Sequence, residues 1–173
     1  NVSSADTVVG LAASGRTPYV HGAVKEAQKA GATTLFVTTV SADQVEIEAD
    51  FMIDIPVGPE VIMGSTRMKS ATAQKMVLNM LTTGAMIRLG KVYRNVMVDL
   101  QLTNKKLEER AKRIMMMLAK IEYEEAAGYL EAADHHVKTA LFMALTGLSR
   151  DHAEIALHKH NGFIRRALQE YRK

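Results

Sequence analysis

Three short β-branched runs alternate with helical spacing in the first 56 residues, and no other feature constrains the fold as tightly. Residues 7–12 read Thr-Val-Val-Gly-Leu-Ala, residues 33–40 read Thr-Thr-Leu-Phe-Val-Thr-Thr-Val, and residues 51–55 run from Phe51 to Ile55 before Pro56. The first run fits a strand buried on both faces. After it, Thr17 is a natural N-cap and Pro18 suits the first helical position, where its missing N–H costs nothing. The helix is expected to run to about Ala30, where Gly31 stops it. A short helix over residues 43–49 is expected before the third strand. Strand, helix, strand, helix, strand with brief connections reads as a parallel sheet covered by helices. Three strands make only half of a doubly wound sheet, which carries roughly five or six, and an unpaired edge would be left open. The count implies the C-terminal part of a longer protein, or pairing with a second copy.

After Pro56 the character changes. Residues 57–64 read as a loop, and a helical pattern then runs from Ser65 to Leu89, with Ser65 or Thr66 as cap and Gly90 as stop. A helix of this length is expected to be buried along much of its course, and the small Gly84 and Ala85 would admit a second helix closely. Another helix, over residues 97–120, carries Leu100, Leu107, Ala111, Ile114 and Leu118 on one side and most of its charges on the other; Met115-Met116-Met117 reads as its core. The tail repeats itself: Glu124-Glu125-Ala126-Ala127-Gly128-Tyr129-Leu130 is matched 27 residues later by Asp151-His152-Ala153-Glu154-Ile155-Ala156-Leu157. Asp134, Val137, Lys138, Ala140 and Leu141 likewise match Asn161, Ile164, Arg165, Ala167 and Leu168. Each copy reads as a helix, an Asp- or Asn-centred turn and a second helix. The expected division is residues 1–120, and residues 121–173 as a small all-α subdomain of two helix hairpins.

Composition excludes several functions. Cysteine is absent, which removes disulfides, a thiol nucleophile and thiolate metal sites, and suits a cytoplasmic location. The longest apolar run, residues 114–119, is far short of the roughly 18 residues that span a bilayer, so no membrane partner is expected. The net charge of +3 comes from interspersed charges, and with 5% aromatic residues base stacking has little to work with. No nucleic-acid partner is expected.

Two segments carry candidate chemistry. Ser14-Gly15-Arg16-Thr17 ends the first strand and opens a helix; backbone N–H groups, the Ser14 and Thr17 hydroxyls and the Arg16 charge would suit a phosphate monoester there. Glu60, Ser65, Thr66 and Lys69 converge on a second helix start. Glu60 could move a proton at a sugar carbon, and Lys69 could steady a phosphate or an enolate-like charge. Each segment also reads as a capped turn without a ligand. The histidines at 135, 136, 152, 158 and 160 read as solvent-exposed residues of helix turns, and no metal site is expected.

Residues 9–20 (Val-Gly-Leu-Ala-Ala-Ser-Gly-Arg-Thr-Pro-Tyr-Val), residues 57–81 (Val-Gly-Pro-Glu-Val-Ile-Met-Gly-Ser-Thr-Arg-Met-Lys and onward) and Gly90-Lys91-Val92-Tyr93 closely resemble the N-acetylmuramic acid 6-phosphate etherases of the sugar isomerase (SIS) superfamily. The resemblance covers the whole chain. It implies an α/β fold with a partial flavodoxin-like parallel sheet, followed by the helical tail. It implies cleavage of the D-lactyl ether of N-acetylmuramic acid 6-phosphate to N-acetylglucosamine 6-phosphate and D-lactate, with no cofactor. Separately, the apolar faces of the two long helices make a homodimer the expected association. The family's first phosphate loop and its acid–base glutamates are expected upstream of Asn1, so this chain alone is expected to be inactive. Ser14, Arg16, Thr17, Glu60, Ser65, Thr66 and Lys69 are the expected substrate contacts, and Glu60 is the one catalytic candidate within the chain. The alternative is a non-catalytic phosphosugar-binding regulatory protein of the same superfamily.

Overall fold

The computed structural model describes residues 1–171. Arg172 and Lys173, at the end of the expected helical tail, lie outside the described residues. The fold is α/β, and the chain divides into two compact units, the first from Asn1 to Leu81 and the second from Thr82 onward.

In the first unit, β1 (Thr7–Leu11), β2 (Thr33–Thr38) and β3 (Phe51–Asp54) form a parallel sheet in the order β1-β2-β3. Val9 lies opposite Leu35, and Val37 opposite Ile53. The central position falls to β2, whose residues from Thr34 to Thr38 are buried. The first strand, expected to be covered on both faces, is an edge strand with Thr7 and Leu11 exposed. Helix α1 (Pro18–Lys29) starts after Thr17, as its Pro dictates. It packs so closely on β1 that a Cβ on Gly10 would come within 2.9 Å of the Val20 and Val24 side chains. Val24 and Phe36 are fully buried with Ala12 between sheet and helix.

The expected helix over residues 43–49 is reduced to a 3-10 turn, Ala42–Gln44. Beyond it, Val45, Ile47 and Ala49 are half-buried while Glu46 and Glu48 are exposed. That alternation has the period of extended chain, not of a helix.

Helix α2 (Lys69–Arg88) begins four residues later than Ser65, and Ser70 is its one buried residue. The expected burial along its length does not occur. Met76, Met80, Met86 and Ile87 are about half exposed or more, because its apolar residues are spread around the helix and form no single stripe. A Cβ on Gly84 would meet nothing within 4 Å, so among the described residues no second helix uses that notch.

In the second unit, residues 97–104 are not helical. Val92–Tyr93 (β4) and Val96–Met97 (β5) form a two-stranded antiparallel hairpin around Arg94, which takes a positive φ of 56°. Helix α3 (Lys105–Ala119) starts only where Asn104 caps it, its side chain accepting from the Leu107 N–H at 3.0 Å. Of the methionine run, Met115 is buried, Met116 half-buried and Met117 58% exposed; three consecutive residues cannot share one helix face.

The repeat is visible as two helix hairpins, α4 (Tyr123–Ala132) with α5 (Val137–Thr146), and α6 (Arg150–Lys159) with α7 (Ile164–Tyr171). Their turns coincide: Asp134 and Asn161 both have φ of 52°, followed by His135 at 59° and Gly162 at 76°. The His135 N–H donates to the Leu130 carbonyl and the Gly162 N–H to the Leu157 carbonyl, each at 2.8 Å. Helix α3 shares one apolar core with these hairpins, around Met115, Leu130, Leu141 and Phe142.

Candidate functional site

The two segments singled out by sequence both lie in the first unit, at the carboxyl ends of parallel strands, where open α/β sheets bind ligands. At the first, the chain leaves β1 through a tight turn in which the Gly15 N–H donates to the Ala12 carbonyl at 3.0 Å. Gly15 has φ of 71°, and a Cβ there would sit 2.5 Å from Val45 Cγ2. The position requires glycine on both counts. His21 Nε2 lies 2.6 Å from the Gly15 carbonyl and its ring meets Phe36 edge-on, fixing the turn against α1. Ser14, Arg16 and Thr17 are exposed around it. Thr17 occupies the N-cap position without its side chain capping the helix, so the hydroxyl is not consumed by that role.

At the second segment, the cap of α2 is neither Ser65 nor Thr66. Glu60 reaches from the loop and accepts from the Ser70 N–H at 3.0 Å with one oxygen and from the Lys69 N–H at 3.1 Å with the other. These backbone N–H groups, Ser70 first, hold its carboxyl below the usual glutamate range. In this arrangement Glu60 anchors the N-terminus of α2 through its carboxylate. Ser65 is half-buried; Thr66 and Lys69 are exposed.

A buried polar chain joins the two segments. The Ala13 carbonyl accepts from the Thr39 N–H at 3.0 Å, the Thr39 hydroxyl at 3.0 Å and the Thr38 hydroxyl at 3.2 Å. Thr39 Oγ1 lies 2.9 Å from Ser70 Oγ, and the Ser70 N–H runs on to Glu60. Gln74 Nε2 donates to the Val37 carbonyl at 3.3 Å. Ala13 beside Ser14, and Ser70 beside Lys69, are thereby held through the end of β2. Sequence reading singled out the ends of this chain and missed its middle. Thr38 and Thr39 carry no motif of their own, their signal being a pair of threonines at the carboxyl end of the second apolar run, whereas Gln74 lies within the residue 57–81 segment that carries the family resemblance.

The histidines at 135, 136, 152 and 158 are exposed; His160 is the exception, with Nε2 buried 3.1 Å from Glu170. Among the described residues, no three His, Asp or Glu side chains gather as a metal site, and no helix is long and apolar enough to cross a membrane.

Residues 1–84 match the SIS domain family. The chain is 51% identical over 172 residues to the N-acetylmuramic acid 6-phosphate etherase of Clostridioides difficile, covering 99% of this chain and 57% of that protein. It is 54% identical over 170 residues to the etherase of Clostridium beijerinckii and 49% identical over 170 residues to that of Bacillus subtilis, covering 98% of this chain and 56% of each relative. The chain therefore spans a little over half the length of these curated relatives. Residues 1–84 thus resemble the SIS domain family, and almost the entire chain is similar to part of the N-acetylmuramic acid 6-phosphate etherases.

Proposed function

We propose that this chain supplies one wall of a phosphosugar site in an etherase that cleaves the D-lactyl ether of N-acetylmuramic acid 6-phosphate, as part of cell-wall sugar recycling in the cytoplasm. The observation that carries the reading is the polar chain from Ala13 through Thr39 and Ser70 to Glu60, which ties two helix-opening turns to one rim of the sheet. Identity of about half to etherases over nearly the whole chain supports it. Ser14, Arg16 and Thr17 hold the phosphate by hydroxyls, charge and the positive end of α1. Ser65, Thr66 and Lys69 contact the sugar, with Glu60 fixing their turn. In the reaction a base removes the proton at C2 of the open-chain aldehyde, an acid assists lactate leaving C3, and water adds. The electron sink is the substrate's own carbonyl. The proton carriers are assigned to none of the residues above. Residues 121–173 form a helical subdomain on this reading, and the exposed methionines of α2 support association as a homodimer.

The test is calorimetric titration of the 173-residue chain with N-acetylmuramic acid 6-phosphate and with fructose 6-phosphate. The expected result is binding without turnover, tighter for the muramic sugar, and weakened at least tenfold by Ser14→Ala combined with Thr17→Val. Preference for fructose 6-phosphate would favour the regulatory alternative. Binding indifferent to the double variant would overturn the site.

A further inference from the structure

The helical unit holds a cleft of about 610 Å³ that the sugar reading leaves unused, a volume within the range of small-molecule sites. His136, Lys138 and Thr139 at the start of α5 line it, with Arg150 and Glu154 of α6 and Asn161 of the following turn. Lys138 is the unusual member, because its side chain is only 10% exposed. A buried ammonium is costly unless its donors find acceptors. Its acidic neighbour is Asp99 Oδ1, at 3.4 Å. That carboxylate is shared: Lys91 Nζ lies 2.5 Å from Oδ2, and His136 Nε2 lies 3.9 Å from Oδ1, the oxygen that faces Lys138. Burial pushes the Asp99 carboxyl up, but the Lys91 hydrogen bond and the Lys138 charge outweigh it, and the group stays ionised. One negative charge thus serves two ammonium groups.

The carboxylates lining the cleft do not fill the deficit. Glu154 Oε1 accepts from Arg150 Nε at 2.8 Å, and Asp134 lies 3.8 Å from Arg150 Nη2. The start of α5 adds charge of the same sign. Its first turn holds no acid and no side chain caps it, so its backbone N–H groups present the positive end of the helix. A Cβ on Gly162 would stand 3.2 Å from Lys138 Nζ; the glycine keeps that flank of the ammonium clear.

We propose that this cleft is an oxyanion site, in which the Lys138 ammonium and the first-turn N–H groups of α5 receive the phosphate or carboxylate group of a small metabolite. All residues of this site belong to the helical unit, and neither proposal depends on the other.

The experiment is a ¹H–¹⁵N NMR titration of the 173-residue chain, run separately with inorganic phosphate and with D-lactate. Saturable shifts at the amides of Lys138, Thr139 and Gly162 are expected with at least one of the two anions. Lys138→Met should weaken that binding at least tenfold. Arg150→Ala, at a half-exposed position where folding is not at stake, should weaken it severalfold by releasing Glu154 and Asp134 into the cleft. If Lys138→Met fails to fold, the Arg150→Ala result decides. Absence of saturable shifts with both anions, or shifts unchanged in the folded variants, overturns the proposal. Ser14→Ala and Thr17→Val probe the rim alone, so the two sites fail separately.

Discussion

The two units of this chain are held together by different means. From α3 to α7 every helix contributes to one continuous apolar core, with Met115, Leu130, Leu141 and Phe142 essentially inaccessible. The sheet unit buries Val24, Phe36 and Ala12 as its apolar cluster and adds a set of buried hydroxyls. Thr34 bonds Asp50 through both its N–H and its hydroxyl, and Thr39 bonds Ala13 and lies against Ser70. Buried area tolerates small errors in placement, whereas a bonded hydroxyl does not. Point changes of geometry are therefore expected to matter most in the sheet unit, and losses of volume in the helical one.

The largest expected effect comes from emptying each core. Phe36→Ala and Phe142→Ala should each cost about 3–5 kcal/mol. Hydrogen exchange should show Phe36→Ala releasing the amides of β1 to β3 while α5 stays protected, and the reverse for Phe142→Ala. Loss of protection in both units from either change would break the comparison.

Gly90→Ala comes next. Gly90 has φ of 67°, and a Cβ there would stand 3.0 Å from the Gly162 backbone. The conformational penalty alone is about 1–2 kcal/mol, read as a fall in the urea midpoint. An unchanged midpoint would mean that the helical unit yields more readily than its packing implies.

Gly84→Ala should act in the opposite direction, raising stability by about 0.5–1 kcal/mol, because the residue is mid-helix with open space around it. A loss would reveal a neighbour at that notch in solution.

The smallest effect is a pH effect. Hydrogen bonds from the Ser70 and Lys69 N–H groups hold Glu60 below its ordinary value of 4.5. A group depressed in the folded state adds stability above its unfolded value and loses it as pH falls through the folded value. Acid unfolding of the sheet unit should therefore be shallower below about pH 4.5 in Glu60→Gln than in the parent. Identical acid limbs would remove Glu60 as the cap of α2.

Much of the architecture was legible because its punctuation is chemical. Pro18 and Gly31 bracket α1, and the 27-residue repeat announces two hairpins whose turns share backbone angles. What escaped depends on context. Val45, Ile47 and Ala49 lie in a segment that sequence reading made helical, although their spacing alternates. The start of α2 was misplaced because its cap, Glu60, lies nine residues before Lys69, beyond the reach of a local capping rule. Residues 97–104 were read as helix because apolar spacing alone does not register a two-residue hairpin at Arg94 and Asn95 or the late cap at Asn104. Both ends of the rim were visible as motifs. The hydroxyls that connect them were not, since a threonine in a strand signals β propensity before it signals a tether.

The Ala13 carbonyl accepts three hydrogen bonds from Thr38 and Thr39. A loop whose root is fastened three times over cannot swing outward without exposing several buried polar groups at once. The turn at residues 14–17 is thus anchored at its root by the strand beside it. On the proposed reading, a phosphate arriving there meets donors already in place, and its departure leaves the scaffold unrelaxed, a behaviour closer to a socket than to a closing hand.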